Sequence, residues 1–459
     1  GSTLHEMHWL RSGSNDTYLW YDEIIDQDIA IFSDKIEYFG TLKTNATTAS
    51  GAKKDQYHFT QDTAEYQQLA SGSTNASYGL NVKYIQAYPP RLARVTYVEP
   101  NSPAANANLQ RGAKIISIDG VSVETSNDID TLINGLNPET NGEVHTFVVQ
   151  DVGQTETRTV SLTSQVVTKY PVQNETILTN GIDKIGYLTF NTFSVTTAEA
   201  ALASVFSAFS EENINDLIID LRYNSGGYLA ISAQLGYMIA GDTLTEGKTF
   251  EKTVFNDKHP TINPITSQAL SDLPFIKTGV GFSVDKGQSL PSVNLNRVFI
   301  LSSNRTCSAS ESLINGLRGI DVDVVMIGNT TCGKPYGFYS TDNCGTTYST
   351  IQFRGENEKG FGDYSDGFSP NNSNSTYGEL VAGCQVEDDL LTPLGDVNEA
   401  MLKAALAYRD NGSCPEVPAS RALKTEQRTD ITGDLNNDPR MIERSLKEQI
   451  YLDSLRFKR

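Results

Sequence analysis

The sequence predicts a multidomain α/β protein. With 459 residues, the chain is longer than one ordinary domain, which predicts about two to four domains. In the second half of the chain, short apolar runs alternate with helical segments, an alternation typical of parallel strands joined by crossover helices. Ahead of that half, short β-rich runs separated by turn residues predict a smaller β-rich domain.

Changes in composition divide the chain into four segments. They are a helical N-terminal region over residues 3–75, a β-rich domain over 77–165, an α/β core over 170–410 and a polar tail over 411–459. In the first segment, apolar residues recur at helical spacing between Tyr18 and Ile29, which predicts a helix face packed on the rest of the protein. In the tail, Ile442, Leu446 and Ile450 predict one amphipathic helix.

The core segment is predicted to contain a mixed sheet with largely parallel connections. Its predicted strands cover 185–190, 217–221, 298–301 and 322–327, and its predicted helices cover 197–209, 228–239 and 309–317. Residues 344–356 are rich in aromatic and β-branched side chains and predict a further strand or hairpin. A last helix over 398–408 is expected to close this domain.

The chain carries a formal charge of −20 at pH 7. An acidic surface repels phosphate backbones and anionic lipid, so nucleic acid is not an expected partner. No run of about 18 apolar residues occurs, and we therefore expect no membrane span. No basic, apolar signal peptide begins the chain. Because Gly1-Ser2 is typical of a cloning junction, we expect a targeting segment to have been removed.

The five cysteines are Cys307, Cys332, Cys344, Cys384 and Cys414, and no two of them form a CxxC pair. The chain also has only five histidines, so the usual spacing of zinc ligands is not found, and we expect neither a metal site nor a cofactor. Abundant Asn, Thr, Ser and Tyr with few Lys favour an exported protein, whether periplasmic, lipid-anchored or secreted.

The segment Thr306-Cys-Ser-Ala-Ser-Glu311 follows a predicted strand and opens a predicted helix. Unpaired N–H groups and the positive dipole at a helix start stabilise an anion, so Ser308 stands where a nucleophile would generate an oxyanion. The same residues fit the S-x-x-E capping box, in which Ser308 and Glu311 satisfy the helix start without any catalysis. This segment alone leaves both interpretations open.

Lys334 ends the segment Gly328-Asn-Thr-Thr-Cys-Gly-Lys334, which follows the next predicted strand. The carboxyl ends of neighbouring parallel strands meet at one edge of a sheet, so Ser308 and Lys334 are expected to reach a common crevice. A lysine amine, with a reference pKa of about 10.4, acts as a base near neutral pH only where burial lowers that value. A solvated surface lysine is the alternative. A phosphate loop is excluded because Pro335 follows the lysine.

Histidine is the usual alternative base, but no histidine lies near either strand end in the sequence. The nearest one is His259, although folding can bring a distant histidine to the site. Lysine is therefore the better candidate for the base.

The segment Asp220-Leu-Arg-Tyr-Asn-Ser-Gly-Gly227 follows a third buried strand. Two glycines before a helix let the backbone approach a ligand closely and turn its N–H groups inward. Gly226 and Gly227 therefore suit one half of an oxyanion hole, with the amide of Ala309 as the other half. A tight strand-to-helix turn without a role in binding is the alternative.

The β-rich segment contains three ordered blocks that resemble a known domain. They are Tyr78-Gly-Leu-Asn-Val82, Glu99-Pro-Asn-Ser-Pro-Ala104 and Gly112-Ala-Lys-Ile-Ile-Ser-Ile-Asp-Gly120. Predicted strands cover 80–84, 93–98, 114–118 and 144–149, and a predicted helix covers 129–136 with Asp128 or Asn127 as its cap. Over 77–165 the segment resembles a PDZ domain.

The PDZ resemblance implies a binding site for peptide C-termini. The amides around Gly79, Leu80 and Asn81 would form an anion nest for a terminal carboxylate, and the bound peptide would extend a sheet edge. A simple turn at Gly79 is the alternative.

The three loop segments, in this order after a PDZ-like domain, resemble the carboxy-terminal processing proteases, also called tail-specific proteases. The resemblance covers about residues 77–340. It implies a serine endopeptidase with Ser308, rather than Ser310, as the nucleophile and Lys334 as the base. It also implies backbone oxyanion donors at the Gly226-Gly227 turn and at Ala309. Polypeptides with accessible C-termini are the implied substrates, and an oligomer is compatible with the resemblance.

Three features depart from that family's pattern. Cys307 stands where the family has a small residue before the nucleophile, and the spacing from serine to lysine is one residue longer. Many members carry a glutamine shortly after the lysine to orient it, whereas this chain has Pro335-Tyr-Gly-Phe338. Asn224 and Thr331 are the candidates for the orienting group.

Cys307 and Cys332 adjoin the two proposed catalytic residues in the sequence. If the serine and the lysine meet, the two cysteines approach the Cα separation of about 7 Å that a disulfide requires, and a disulfide that braces or regulates the site is one hypothesis. Two small buried residues are the other. Cys307 as nucleophile has no evident histidine partner. Cys344 and Cys384 are candidates for a second bridge, which leaves Cys414 odd.

The leading hypothesis is an endopeptidase that cleaves exported polypeptides through an acyl-enzyme. The alternative hypothesis is a PDZ-bearing binding or scaffold protein whose core has lost catalysis. The altered segment after Lys334 leaves this alternative open. A lipase or esterase is disfavoured because no G-x-S-x-G elbow surrounds Ser308.

Overall fold

A computed structural model of the chain describes residues 2–70 and 76–415. The tail helix predicted at Ile442, Leu446 and Ile450 lies outside these residues. None of the helices in the described part of the chain has the length and the apolar character that a membrane span requires.

The described chain divides into two compact units. The core unit combines the residues up to Gln67 with Pro171–Val386. The second unit combines Gln68–Tyr170 with the residues that follow from Glu387. Each unit is therefore assembled from two separate stretches of the sequence.

Within the described residues the α-helices are, in chain order, α1 Thr3–Thr17, α2 Lys35–Thr41, α3 Thr63–Ala70, α4 Pro103–Asn106, α5 Ile129–Leu136, α6 Ala198–Glu211, α7 Leu229–Thr245, α8 Ala309–Gly319 and α9 Ala400–Asn411. The strands are β1 Phe59–Asp62, β2 Ala76–Ser77, β3 Leu80–Gln86, β4 Leu92–Val98, β5 Lys114–Ile118, β6 Val121–Ser122, β7 Val144–Gln150, β8 Arg158–Thr163, β9 Gln165–Val166, β10 Val172–Asn180, β11 Asp183–Phe190, β12 Asp216–Asp220, β13 Thr249–Phe255, β14 Leu273–Pro274, β15 Arg297–Ser302, β16 Asp323–Gly328, β17 Tyr336–Gly337, β18 Thr341–Asn343, β19 Thr346–Ser349, β20 Phe353–Glu356, β21 Phe368–Pro370, β22 Glu379–Val381 and β23 Gly383–Gln385.

A six-stranded sheet forms the centre of the core unit, in the order β10-β11-β12-β15-β16-β23. β10 runs antiparallel to β11 at one edge, and every other pair of neighbours is parallel. The predicted mixed, largely parallel sheet is confirmed. All residues of β12 are buried, as expected for a central strand that is covered on both faces.

The further strand or hairpin predicted over 344–356 is present as two strands, β19 and β20, and β19 belongs to a hairpin that begins earlier, at β18. β18 and β19 pair in antiparallel fashion, and the turn between them consists of Cys344 and Gly345, both at positive φ. Two consecutive residues at positive φ match the right-handed twist of a tight hairpin. β20 follows and pairs with β13 and β17 in a second, antiparallel sheet.

The N-terminal region belongs to the core unit. The α-helix predicted between Tyr18 and Ile29 is wrong, because this segment forms only the short 3-10 turns Tyr21–Glu23 and Ile29–Ile31. The region contains a strand, β1, which pairs with β19. Met7, Leu10 and Tyr38 bury their side chains in one cluster with Tyr348. The apolar faces of α1 and α2 therefore find their partner far along the chain, and a pattern read locally cannot show this.

The core unit also ends earlier than the predicted boundary at residue 410. The helix expected over 398–408 is present as α9, but it belongs to the second unit and does not close the core. Arg111 of the second unit holds the segment before this helix: its guanidinium donates to Thr392 O at 2.9 Å and pairs with Asp388.

The second unit is built on the strand order β3-β4-β5-β7-β8, with β6 beside β5. The predicted β-rich character of this segment is confirmed. Helix α5 covers the expected residues, and the Asp128 carboxylate caps it by accepting a hydrogen bond from the Thr131 amide at 3.1 Å. Leu132 of this helix packs with Ile118 and Phe147 of the sheet in the buried cluster.

A buried carboxylate fastens the long connection between α7 and β15 to the rest of the core unit. Glu199, on the first turn of α6, accepts hydrogen bonds from four amides between Val280 and Val284 at 2.6 to 3.0 Å. Burial alone would raise the pKa of Glu199. The hydrogen bonds from Gln234 and from these amides outweigh it and hold the pKa below its ordinary value.

Replacing Glu199 by Gln is expected to lower the free energy of unfolding by about 2 kcal/mol at pH 7, because the amides then face a weaker, partly donating group. A lowered carboxyl pKa contributes stability above its ordinary value of 4.5, and that contribution is lost as the pH falls through the lowered pKa of the folded state. Urea denaturation at pH 7 and at acidic pH measures both effects.

The difference in unfolding free energy between wild type and Glu199→Gln is expected to narrow at acidic pH. Glu212→Gln is the matched control, since Glu212 lies on the surface and pairs with exposed Lys184. An equal loss of stability in both variants at pH 7 would contradict the anchoring role of Glu199.

Candidate functional site

Three loops that follow neighbouring parallel strands meet at one edge of the central sheet. β12, β15 and β16 lie side by side, and the last residues of β15 and β16, Ser302 and Gly328, pair directly. The loops are also linked to each other: the Thr306 hydroxyl donates to Leu221 O at 2.9 Å, and the Cys332 amide donates to Thr306 O at 3.1 Å. The three segments therefore lie together at this edge of the sheet.

Ser308 lies immediately before α8 in a strained backbone conformation. Its φ is 54° and its ψ is −115°, a region that costs a non-glycine residue about 1–3 kcal/mol. The residue is 2% exposed and stands at the positive end of the α8 dipole. Glu311 makes its half of the predicted capping box, because its Oε2 accepts from the Ser308 amide at 3.0 Å. A capping position and a nucleophile position are therefore compatible here.

The Glu311 carboxylate ties the serine loop to the lysine loop. Its Oε2 accepts from the Ser308 amide at 3.0 Å and from the Lys334 amide at 2.9 Å, so these two nitrogens lie within about 6 Å of each other. Its Oε1 accepts from the Thr331 hydroxyl at 2.6 Å and from the Gly333 amide at 2.7 Å. Burial raises the pKa of Glu311, and the four donors oppose that shift because they favour the ionised form.

Lys334 is completely buried, which excludes the alternative of a solvated surface lysine. Its Nζ lies 5.0 Å from the ring centre of Tyr57 and 5.8 Å from that of Phe338. No pattern in the sequence pointed to Tyr57, which lies far from the lysine along the chain.

Cys307 and Cys332 form a disulfide with their Cα atoms 5.2 Å apart. The hypothesis of a bond between these two cysteines is confirmed, and in this state Cys307 has no thiol that could act as a nucleophile. The candidate bridge between Cys344 and Cys384 is wrong. Cys344 is a free cysteine in the exposed turn before β19, whereas Cys384 and Cys414 are disulfide-bonded.

The glycine turn lies directly against the start of α8. A Cβ on Gly226 would be 2.9 Å from Ser308 Cβ and 3.0 Å from Ala309 N. The Gly226 amide itself donates to Asn224 Oδ1 at 2.9 Å. Within the described residues, the amides of Gly227 and Ala309 have no hydrogen-bond acceptor. The Gly226 amide is therefore already engaged, whereas those of Gly227 and Ala309 are not.

The remaining polar residues suggested by the sequence are engaged elsewhere. The Ser310 hydroxyl donates to Asn224 O at 3.0 Å, which makes it a link between two loops. The Asn224 side chain donates to Phe190 O at 2.9 Å, and the Thr331 hydroxyl donates to Glu311. Neither Asn224 nor Thr331 is therefore the group that orients the lysine amine.

His58 follows Tyr57 in the sequence and is the histidine to weigh as a distant base. Its ring nitrogens contact Thr350 Oγ1 and Phe39 O, both at 2.8 Å, and its ring stacks on Phe39 with the centres 3.9 Å apart. Burial lowers the pKa of His58 to about 3. With both nitrogens engaged, His58 does not replace Lys334 as a base.

In the second unit, the predicted peptide-binding residues begin an edge strand. Gly79 has a φ of 68°, and a Cβ there would lie 2.3 Å from Ser102 Cβ, so the turn requires glycine. The Gly79 amide donates to Ser77 Oγ at 2.9 Å. Leu80 and Asn81 open β3, which among the described strands of this sheet has only β4 beside it. β3 is therefore an edge strand of the described sheet, and an edge strand is where an extended peptide can add to a sheet.

The fold combines an α/β core unit, in which three loops meet at one sheet edge, with a second, β-rich unit. Residues 184–340 match the model of peptidase family S41, and residues 94–150 match that of the PDZ domain. The predicted resemblance to the carboxy-terminal processing proteases is confirmed, because the chain is similar to family S41 and to PDZ domains over these ranges.

Two relatives of this chain are named as C-terminal processing peptidases. The chain is 26% identical over 246 residues to a chloroplastic C-terminal processing peptidase of Tetradesmus obliquus, covering 51% of this chain and 46% of the relative. It is 30% identical over 171 residues to the chloroplastic carboxyl-terminal-processing peptidase 2 of Arabidopsis thaliana, covering 36% of this chain and 32% of the relative. The match thus spans less than half the length of each relative.

A crystal structure named as an S41 protease from Bacteroides fragilis shares the fold. It superposes with a TM-score of 0.63 at 22% identity, covering 88% of this chain and 97% of that one. The similarity therefore extends over both units of the fold.

Gly226→Ala is expected to lower the free energy of unfolding by about 3 kcal/mol, because the new methyl group strains the φ of 106° and overlaps Ser308 Cβ. Gly247→Ala is the matched control: Gly247 has a φ of 71° but open space around its Cβ, so only about 1 kcal/mol is expected. Equal losses in chemical denaturation would show that the turn does not press on Ser308.

Proposed function

We propose that this protein is a serine endopeptidase in which Ser308 is the nucleophile and Lys334 the general base. The observation that carries the proposal is the Glu311 carboxylate, whose single oxygen accepts from the backbone amides of both residues. It fixes the two loops at the same place, beside the glycine turn. The strained backbone of Ser308 and the dry surroundings of Lys334 add to this support.

The proposed reaction uses groups of the core unit alone. Lys334 Nζ takes the hydroxyl proton while Ser308 Oγ bonds to the carbonyl carbon of the substrate, and the amides of Gly227 and Ala309 donate to the oxyanion. The C–N bond then breaks, and the lysine returns the proton to the leaving amine. Water attacks the resulting ester in the same way, which releases the acyl product and restores the serine.

Burial and aromatic rings act in opposite directions on the lysine amine. Removal from water disfavours the ammonium form and lowers an amine pKa by up to about 3–5 units, equivalent to about 4–7 kcal/mol. An aromatic face attracts a cation by only about 0.5–2 kcal/mol. Because Lys334 is fully buried, dehydration is the larger effect, and the surroundings favour the neutral amine that a base requires.

We further propose that the PDZ domain recognises the C-terminus of the polypeptide substrate. β3 offers an open sheet edge, to which an extended peptide can add as another strand. The turn through Gly79 begins β3, so an anion nest at Gly79, Leu80 and Asn81 would receive the terminal carboxylate at the end of the added strand.

The proposed place of action is outside the cytosol. Disulfides persist in oxidising compartments, and this chain has one between Cys307 and Cys332, with Cys384 and Cys414 disulfide-bonded as well. Exported polypeptides are therefore the substrates that the protein would meet.

Ser308→Ala and Lys334→Met are each expected to lower kcat on an unfolded protein substrate by at least about 10³-fold, since one removes the nucleophile and the other the base. Ser310→Ala and Lys277→Met are the matched controls, because the Ser310 hydroxyl donates to Asn224 O and Lys277 is exposed. Both controls are expected to retain activity. Unchanged hydrolysis in Ser308→Ala would refute the catalytic assignment and favour a binding or scaffold protein.

A peptide substrate with a free C-terminus is expected to have a KM at least about tenfold lower than the same peptide with an amidated C-terminus, because the amide lacks the charge that the anion nest recognises. The kcat values should differ little. N-terminal acetylation of the same peptide is the control and should leave KM unchanged. Equal KM values for the free and amidated peptides would contradict recognition of the C-terminus.

A further inference from the structure

The N-terminal region covers the amine of Lys334. Tyr57 comes from the segment before β1, yet its ring centre is 5.0 Å from Lys334 Nζ. Phe338, near the lysine in sequence, lies at 5.8 Å. Two aromatic rings thus lie beside an amine whose residue has no exposed surface.

A buried hydrogen-bond chain holds the backbone of Tyr57. The Tyr57 amide donates to Asp55 Oδ1 at 2.9 Å, and Asp55 Oδ2 accepts from the Tyr18 hydroxyl at 2.8 Å. The Tyr18 hydroxyl in turn accepts from the Thr44 amide at 3.1 Å. Tyr57 also packs against the buried cluster that contains Tyr18, Tyr336 and Ile351. The position of the ring is therefore fixed by several elements of the N-terminal region.

A second contact holds the backbone beside the lysine. The hydroxyls of Thr48 and Ser50 donate to the Asp366 carboxylate at 2.6 and 2.5 Å. Asp366 adjoins Ser365, whose carbonyl oxygen lies so close to Gly333 that a Cβ there would be 2.3 Å away. The N-terminal region therefore braces the segment that covers the residue before Lys334.

We infer that Tyr57 is a positioning residue for Lys334: its ring keeps water from the amine and so sets the amine's affinity for a proton. This inference rests on the proposed role of Lys334 as a base. The Tyr57 ring would then take the place of the glutamine that orients the lysine in many family members and that residues 335–338 lack. The N-terminal region is then a part of the active site and not an accessory.

Tyr57→Ala would open a water-sized space beside the amine. The ring also attracts the ammonium form, but dehydration is the larger effect on a fully buried lysine, so losing the ring favours protonation. The variant should therefore need a higher pH to reach the same fraction of neutral amine. Tyr57→Phe keeps the ring and should keep the wild-type behaviour.

Other titratable groups lie near the amine. Glu311, which binds the Lys334 amide, and Asp55, which binds the Tyr57 amide, are carboxyls whose pKa is raised because burial outweighs their hydrogen bonds. Burial raises the pKa of Tyr336 to about 12 and lowers that of His58 to about 3. Cys332 is in a disulfide and does not titrate. Acetylation is measured at Lys334 itself, so its midpoint reports on the amine and not on these neighbours.

The test compares wild type with Tyr57→Ala, Tyr57→Phe and Tyr21→Ala. Tyr21 packs on the same cluster, but its hydroxyl donates to Asp257, so its variant controls for a general loosening of the region. The first readout is the kcat–pH profile. The second is the pH dependence of Lys334 acetylation by acetic anhydride, followed by peptide mass spectrometry, which needs no enzyme activity.

In Tyr57→Ala, the midpoint of Lys334 acetylation and the rising limb of the kcat–pH profile are both expected to move up by about one pH unit or more. At pH 7, kcat should fall by about tenfold with KM nearly unchanged. Tyr57→Phe and Tyr21→Ala should match the wild type, and thermal melts should show all variants folded.

Three results would overturn the inference: an unchanged acetylation midpoint in Tyr57→Ala, the same shift in Tyr57→Phe, or the same shift in Tyr21→Ala. Failure of the proposed function gives a different pattern. In that case peptide hydrolysis survives Ser308→Ala, while the acetylation midpoint still reports whether the Tyr57 ring controls the amine.

Discussion

The site depends on one buried carboxylate. Glu311 lies on the first turn of α8, and it accepts hydrogen bonds from the backbones of both the serine loop and the lysine loop. A buried carboxylate is costly unless donors satisfy it, so these loops must approach each other for the charge to be tolerated. The disulfide between Cys307 and Cys332 links the same two loops covalently. The buried carboxylate and the disulfide thus hold the serine loop and the lysine loop in the same arrangement.

The central sheet and the order of the loops could be predicted because their signals are local. A buried run such as β12 and a glycine pair at its end are visible in a few residues, and parallel connectivity then places neighbouring loops together. The residues around Ser308 predicted either a helix cap or a nucleophile. The two interpretations are compatible, because Glu311 completes the cap and also binds the backbone of the lysine loop.

Other features could not be predicted because their partners are remote. Tyr57 precedes β1, which pairs with the distant β19, and nothing in the residues around Tyr57 signals its contact with the lysine. The same limit explains why the sequence did not assign the N-terminal region to the core unit, since an apolar helix face predicts burial but does not identify the partner. The predicted partner of Cys384 was wrong for the same reason, because the spacing of cysteines does not reveal which of them meet in space.

The pairing of β1 with β19 has a consequence for synthesis of the chain. Phe59 cannot find Ser349 until almost 290 further residues have left the ribosome, which takes about 15 to 60 s at usual rates of translation. During that time α1 and α2 lack the tyrosine side chain at position 348 that covers them. Such non-local contacts are formed late in folding, so the nascent N-terminus is the part most in need of protection from aggregation.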